Sequence, residues 1–407
     1  MVWLCFFACL WCKMIINIFL FIAIGHIATD IYLPSLPAIA DYFNVAPSIM
    51  QSTISIYLFS MAISPLIFGP LSDLIGRKKV ATAGMLCAII ATIGCSMAAN
   101  IYFLVAGRAM QGIAMGAIVV ASRAMIPDLY MGKELAKKAT YISMLLQVIL
   151  SIVPAFGGYL QEWLAWRAVF IFVALYLGGI LWLSYKTQET VKILVSQEPF
   201  SQKLVMMTSS YKKLFNNKAF VFYSLCSVLP MIGLFSYLTT SPFLFQKVLG
   251  LSPSKYGMLS LYIGASVLIY GYINTKLIKY FSLQKIIFFG ASIIILAGMF
   301  LMLFTALGVL SVKSILIPVL FYNCFPIFCM TNATALALTY LDDSYGAARA
   351  MVATSQFLAG ALGSFIFSML PVADGFYLAL CFMMTGVLIL GCLLMGQGVT
   401  STDKLCD

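Results

Sequence analysis

Twelve apolar runs of roughly twenty residues or more divide this 407-residue chain, at 13–33, 48–72, 79–99, 101–127, 136–160, 166–185, 217–246, 255–279, 285–307, 314–341, 346–370 and 374–396. A helix of about twenty residues crosses ~30 Å of hydrocarbon, so each run is long enough to span a bilayer. Lipid offers no partner to a bare peptide group, and each run is therefore expected to close its own hydrogen bonds as an α-helix. Hydrophobic residues make up 63% of the chain and charged residues only 9%, a balance that no soluble layer architecture supports. The fold class expected is an all-α membrane protein with twelve transmembrane helices and no soluble domain.

The chain has 24 Lys and Arg against 13 Asp and Glu, an excess that at first suggests a nucleic-acid partner. Its distribution excludes one. Arg77, Lys78 and Lys79 lie between runs 2 and 3, Lys133, Lys137 and Lys138 between runs 4 and 5, and Lys276, Lys279 and Lys285 between runs 8 and 9. The longest loop adds six lysines between 186 and 218, whereas the opposite loops hold Arg167, Lys247, Lys255 and Lys313. Basic loops stay on the cytoplasmic side, which places both termini in the cytoplasm. The polar, basic stretch 186–216 reads as a cytoplasmic linker between a six-helix bundle at 1–185 and a second at 217–407, the latter ending in a short tail. Within the linker, 202–213 is either an amphipathic surface helix or a disordered basic loop. Paired bundles of this kind hold their substrate site between the halves, near the membrane midplane.

The eleven cysteines are scattered through the runs and form no disulfide framework. Cys9 and Cys12 make a C-x-x-C without a second pair, which reads as packing thiols. The apolar stretch before Lys13 lacks the features of a signal peptide and reads as an extension of the first span or a start-site artefact. There is no G-x-x-x-x-G-K-[ST] for nucleotide-driven pumping. One histidine and one intramembrane carboxylate make neither a metal site nor an enzyme's catalytic cluster, and Asp342 and Asp343 read as solvated loop charges. No cofactor and no metal are expected.

Asp30 is the carboxylate set well inside an apolar run, and the sole histidine, His26, lies one helical turn before it. Ionisable groups are costly in lipid and mark proton, ion or substrate pathways. Pro34 has no N–H, so the Asp30 carbonyl loses its helical partner and the helix loosens at the carboxylate. Desolvation favours the neutral acid and a nearby Arg108 favours the anion, a balance that brings proton exchange within physiological reach. Cargo that favours the anion expels the proton, and reprotonation from the acidic side releases cargo. His26 either shares the proton or is a packing residue. For Asp30 itself the bland alternative is a carboxylate at the outer interface.

Between runs 2 and 3, Gly69, Asp73, Gly76, Arg77 and Lys78 fit G-x-x-x-D-x-x-G-R-K and resemble the signature of the major facilitator superfamily. Gly69 is expected to admit a close helix, Gly76 a tight turn, and Asp73 a latch between conformations. In run 4, Arg108, Gln111 and Gly112 resemble the same family's R-x-x-Q-G, with Arg108 and Gln111 on one face; the alternative is a snorkelling arginine. Pro154, Gly157 and Gly158 in run 5 resemble part of its antiporter motif, with Val153 where glycine is usual. They make a pliant or closely packed helix.

A closer resemblance is carried by Thr29, Asp30, Pro34 and Pro37; by Trp166 and Arg167; by Ser241, Pro242, Phe243 and Gln246 with Gly250 and Pro253; and by Thr331, Asn332 and Leu338. These look like the Bcr/CflA group of drug:proton antiporters. Pro127 precedes Asp128 where that group often has arginine, and Arg123 one turn earlier is the expected substitute in the latch around Asp128. The resemblance implies the major facilitator fold and a monomeric, multi-pass protein of the bacterial inner (plasma) membrane. It also implies proton-coupled export of small hydrophobic or cationic compounds by alternating access. Proton coupling falls to Asp30, Arg108 and His26, and the cavity to Gln111, Tyr57, Tyr237, Phe243, Asn332 and Gln356. Partners are a small-molecule substrate, protons and lipid. The alternatives are a metabolite exporter, for a siderophore or amino acid, and a non-transporting membrane sensor.

Overall fold

A computed structural model describes residues 2–185, 189–190, 211–341, 345–371 and 375–406. The linker at 186–188 and 191–210, the side chains of Cys9 and Cys12, and Asp342 and Asp343 fall outside the described residues. Twelve helices are long and apolar enough to cross a membrane, and they are numbered here as spans 1 to 12: Ile16–Phe43, Pro47–Ile75, Arg77–Ser96, Ile101–Leu129, Lys137–Leu164, Trp166–Ser184, Lys218–Val248, Pro253–Leu277, Leu283–Ala306, Val312–Leu338, Ala347–Ser368 and Phe376–Val399. No strand occurs among the described residues.

Polar punctuation sets the span ends. Asn100, Asn217, Ser252 and Ser282 each accept a backbone N–H in the first turn of spans 4, 7, 8 and 9. Ser311 and Ser314 form a reciprocal capping box at span 10. Such caps supply partners for the first orphan donors of each helix, typically worth about 1 kcal/mol apiece. Spans 2 and 3 join through Gly76 alone, at φ 111°, a conformation open to glycine and strained for other residues.

Span 1 runs ten residues past the end expected from the sequence. Its first helix stops at Asp30, a 3₁₀ turn covers Leu33–Ser35, and a new helix runs Leu36–Phe43. Pro34 and Pro37 sit in the first turns of these new pieces, where a missing N–H costs nothing. The prolines therefore break the helix without ending the span. Spans 7 and 10 carry comparable breaks, π-helical turns at Leu244–Val248 and Pro326–Thr331.

The two six-helix bundles meet along spans 5 and 8 and along spans 2 and 11. Close approach at the first seam depends on missing side chains: a Cβ on Gly158 would strike the Pro253 carbonyl, and one on Gly257 the Pro154 carbonyl. Serines tie the same surfaces, with Ser260 donating to the Ser151 carbonyl at 2.6 Å and Ser55 bonded to Ser364 at 2.8 Å. Gln246 donates to the Pro34 carbonyl at 3.0 Å, the Ser254 N–H to Glu162 at 3.3 Å, and Lys247 pairs with Asp41. These ties gather in the half of the molecule away from the basic loops. Toward the basic-loop face Arg123 and Arg349 are exposed, and the space between the bundles on that side of the ties is the crevice.

Candidate transport site

Asp30 sits at the helix break itself. Ile31 donates the last regular bond, to the Ile27 carbonyl at 3.1 Å, and Pro34 leaves the Asp30 carbonyl without its usual donor. The carboxylate is half-buried, and among the described residues it joins no ion pair. His26, one turn toward the basic-loop face, is also half-buried. Its ring stands 6.3 Å from that of Phe357 in span 11, so this face of span 1 looks across to the second bundle and not into lipid.

Arg108 is the largest fully buried side chain among the described residues. A snorkelling arginine would be exposed, so that alternative is excluded. Its guanidinium carbon lies 4.5 Å from the Tyr32 ring centroid and 4.2 Å from that of Tyr57. Desolvated cation–π contacts of this kind are worth about 2 kcal/mol. Nη1 donates to Gln111 Oε1 at 2.6 Å and to the Ala28 carbonyl at 3.3 Å. Gln111 in turn donates to Thr92 at 2.8 Å. Arg108 forms no ion pair with Asp30 and instead grips the turn of span 1 that carries the carboxylate. The Tyr57 hydroxyl donates to the Gly25 carbonyl at 2.8 Å.

This arrangement corrects several cavity expectations. Gln111 and Tyr57 are spent inside the first bundle and do not line the crevice, because the buried guanidinium needs their carbonyl oxygen and ring face. Asn332 is buried and donates to Asn274 Oδ1 at 2.9 Å and to the Phe328 carbonyl at 3.1 Å, bracing the π-helical turn of span 10. Tyr237 and Phe243 are buried too. Gln356, next in sequence to Phe357, is half-buried.

At the basic-loop face, Arg77 pairs with Asp73 one turn back and with Asp128 of span 4 at 3.3 Å, and donates to Ser72 Oγ. Glu189, just beyond span 6, accepts the Lys78 backbone N–H at 3.1 Å, and Thr190 donates to Asp128 at 3.3 Å. A carboxylate at the first turn of span 3 complements the helix dipole. Gly69 does not serve close packing, since an added Cβ would meet Val120 at an ordinary 3.9 Å. Arg123 takes no part in the latch around Asp128. In the antiporter motif, Gly157 abuts the Ile31 carbonyl at the span 1 break inside the first bundle, whereas Gly158 and the Pro154 carbonyl meet span 8 at the bundle seam.

Tyr32, Thr92, Glu162 and Glu189 act at these sites without having been singled out from the sequence. Tyr32, two residues from Asp30, carries a signal of a kind, since a tyrosine beside a buried charge is a ready ring partner. The other three are ordinary polar residues whose partners are 19 to 111 positions away.

Two bundles of six spans, meeting on one side around a crevice lined by a half-buried carboxylate, define a membrane carrier for small molecules and not an enzyme. The chain belongs to the Major Facilitator Superfamily, whose model matches residues 18–368, and it is a multi-pass inner membrane protein. It is 27% identical over 382 residues to multidrug resistance protein D of Escherichia coli, covering 93% of this chain and 94% of that protein. It is 25% identical to a bicyclomycin resistance protein homolog of Haemophilus influenzae, covering 84% and 85%, a relative of the group that the sequence motifs resemble. A crystal structure of a D-xylose-proton symporter shares the fold at a TM-score of 0.75 and 17% identity, over 94% of this chain and 96% of that one.

Proposed function

We propose that this transporter is a monomeric proton-coupled antiporter that exports small, largely hydrophobic compounds by alternating access, with both termini in the cytoplasm. The observation that carries the reading is Asp30, half-buried, free of any ion pair among the described residues, and set at a helix break facing the second bundle. A lone carboxylate in such a place is an ion or proton site by default. Cargo that favours its anion displaces the proton, and protonation from the acidic side frees the cargo. Arg108 is a positioning residue that acts through the Ala28 carbonyl, and His26 lies on the route between Asp30 and the basic-loop face. The resistance proteins among its relatives support drugs as the cargo class.

Orientation by the basic loops makes the crevice open to the cytoplasm, with the seam of spans 5 and 8 and the Asp41–Lys247 pair as the closed outer gate. The cycle breaks that gate and closes the latch side. Flux of a panel of hydrophobic compounds in proteoliposomes with an imposed pH gradient tests this. Uptake that follows the gradient and collapses with an ionophore is expected, and flux indifferent to the gradient refutes proton coupling.

A further inference from the structure

Arg123 stands apart from Arg108 and Arg77. Arg108 is buried and stacked, and Arg77 is paired; Arg123 is exposed and, among the described residues, has neither an acid partner nor a hydrogen bond. Its place on span 4 keeps it off the lipid face. It lies two turns past Gly116, which packs on Ser64 of span 2, and one turn past Val119, which packs on Gly25 of span 1. Helical side chains lean back over the preceding turn, which carries the guanidinium toward the residue after Gly25. That residue is His26. Across the crevice from His26 is the Phe357 ring.

We propose that Arg123 and His26 form an anion-recognising subsite in the crevice wall, which takes the carboxylate of an amphiphilic organic acid while Phe357 covers its apolar body. This deepens the transport reading above and rests on it. It also changes the cargo: the resemblance implied hydrophobic or cationic compounds, yet Arg123 presents an unpaired guanidinium. Arginine suits carboxylate recognition because its planar fork donates two parallel N–H bonds. Asp30, one turn deeper, stays free for the proton and does not cancel Arg123 by pairing with it.

The test is equilibrium binding to the purified full-length protein in detergent micelles, using dansyl-labelled octanoate, its neutral methyl ester and the matching octylamine. Wild type is expected to bind the carboxylate more tightly than the ester, and the ester more tightly than the amine. Arg123→Gln is expected to lower the carboxylate-to-ester affinity ratio about tenfold, the loss typical of one charged hydrogen-bonding pair, with Arg123→Lys restoring part of it. A wild-type ratio at or below one overturns the proposal, as does a ratio unchanged in Arg123→Gln. If Arg123→Gln does not fold, the wild-type and Arg123→Lys ratios decide. Phosphatidylglycerol added to the micelles separates the sources of the anion: displacement of the probe marks a lipid-headgroup site and overturns the cargo assignment. Gradient-driven flux of the ester is read separately, so failure of antiport and failure of the subsite show as different results.

Discussion

The interiors of the two bundles differ in kind. Mid-span in the first lie Asp30, His26 and Arg108, whereas mid-span polar groups of the second, among the described residues, are neutral: Asn274 with Asn332, Ser241 with Tyr256, Thr239 with Ser364, and Tyr322 donating to the Pro230 carbonyl. A buried charge is costly to hold and is worth holding only where it does chemistry. Neutral hydrogen bonds between spans are cheaper, commonly below about 1 kcal/mol, and suit a wall that has to pack and rock. The comparison teaches a division of labour, with coupling and recognition in the first bundle and an aromatic, hydrogen-bonded counter-face in the second.

Substitutions across the two bundles put that division at risk. Asp30→Asn carries the largest expected effect: pH-gradient-driven flux in proteoliposomes falls to that of empty vesicles, while fluorescent cargo still binds. Retained coupling would move the proton site elsewhere and erase the contrast. Arg108→Ala comes next. Loss of two ring contacts and the hold on Ala28 should destabilise the protein by about 3 kcal/mol, read as a lower thermal unfolding temperature, with flux reduced severely.

Gly158→Val and Gly69→Val form a pair that sharpens the role of the seam. The first drives a side chain into the Pro253 carbonyl and should hold the outer gate apart, seen as longer spin-label distances across spans 5 and 8 and about tenfold slower flux. The second meets only Val120 and should leave those distances unchanged. Asn332→Ala carries the smallest effect, a loss of about 1 kcal/mol of stability with proton coupling intact. A coupling defect in that variant would place proton chemistry in the second bundle as well.

Legibility from sequence followed the range of the interaction. Asp30 and Pro34 are four residues apart, and the helix break between them follows from covalent chemistry, so both the acid and its loosened backbone could be read directly. Gly76, Arg77 and Asp73 were similarly legible because a turn and a one-turn ion pair are local. Gln111 and Tyr57 misled because a polar or aromatic residue on the right face looks the same whether it meets cargo or a buried arginine. Arg123 misled through its neighbour in sequence, Asp128, whose partner in space is Arg77. Gly69 matched a motif whose packing reason is absent at that position.

Hydropathy and loop charge by themselves determined a twelve-span helical membrane protein with an acid in its first span, because each span solves its own hydrogen bonding and the bilayer sets its length. Only the tertiary structure decided which polar groups face the crevice and which are consumed inside a bundle. That choice turns on a few ångströms of approach between spans far apart in the chain, where the size of one side chain and the reach of one guanidinium outweigh any local preference.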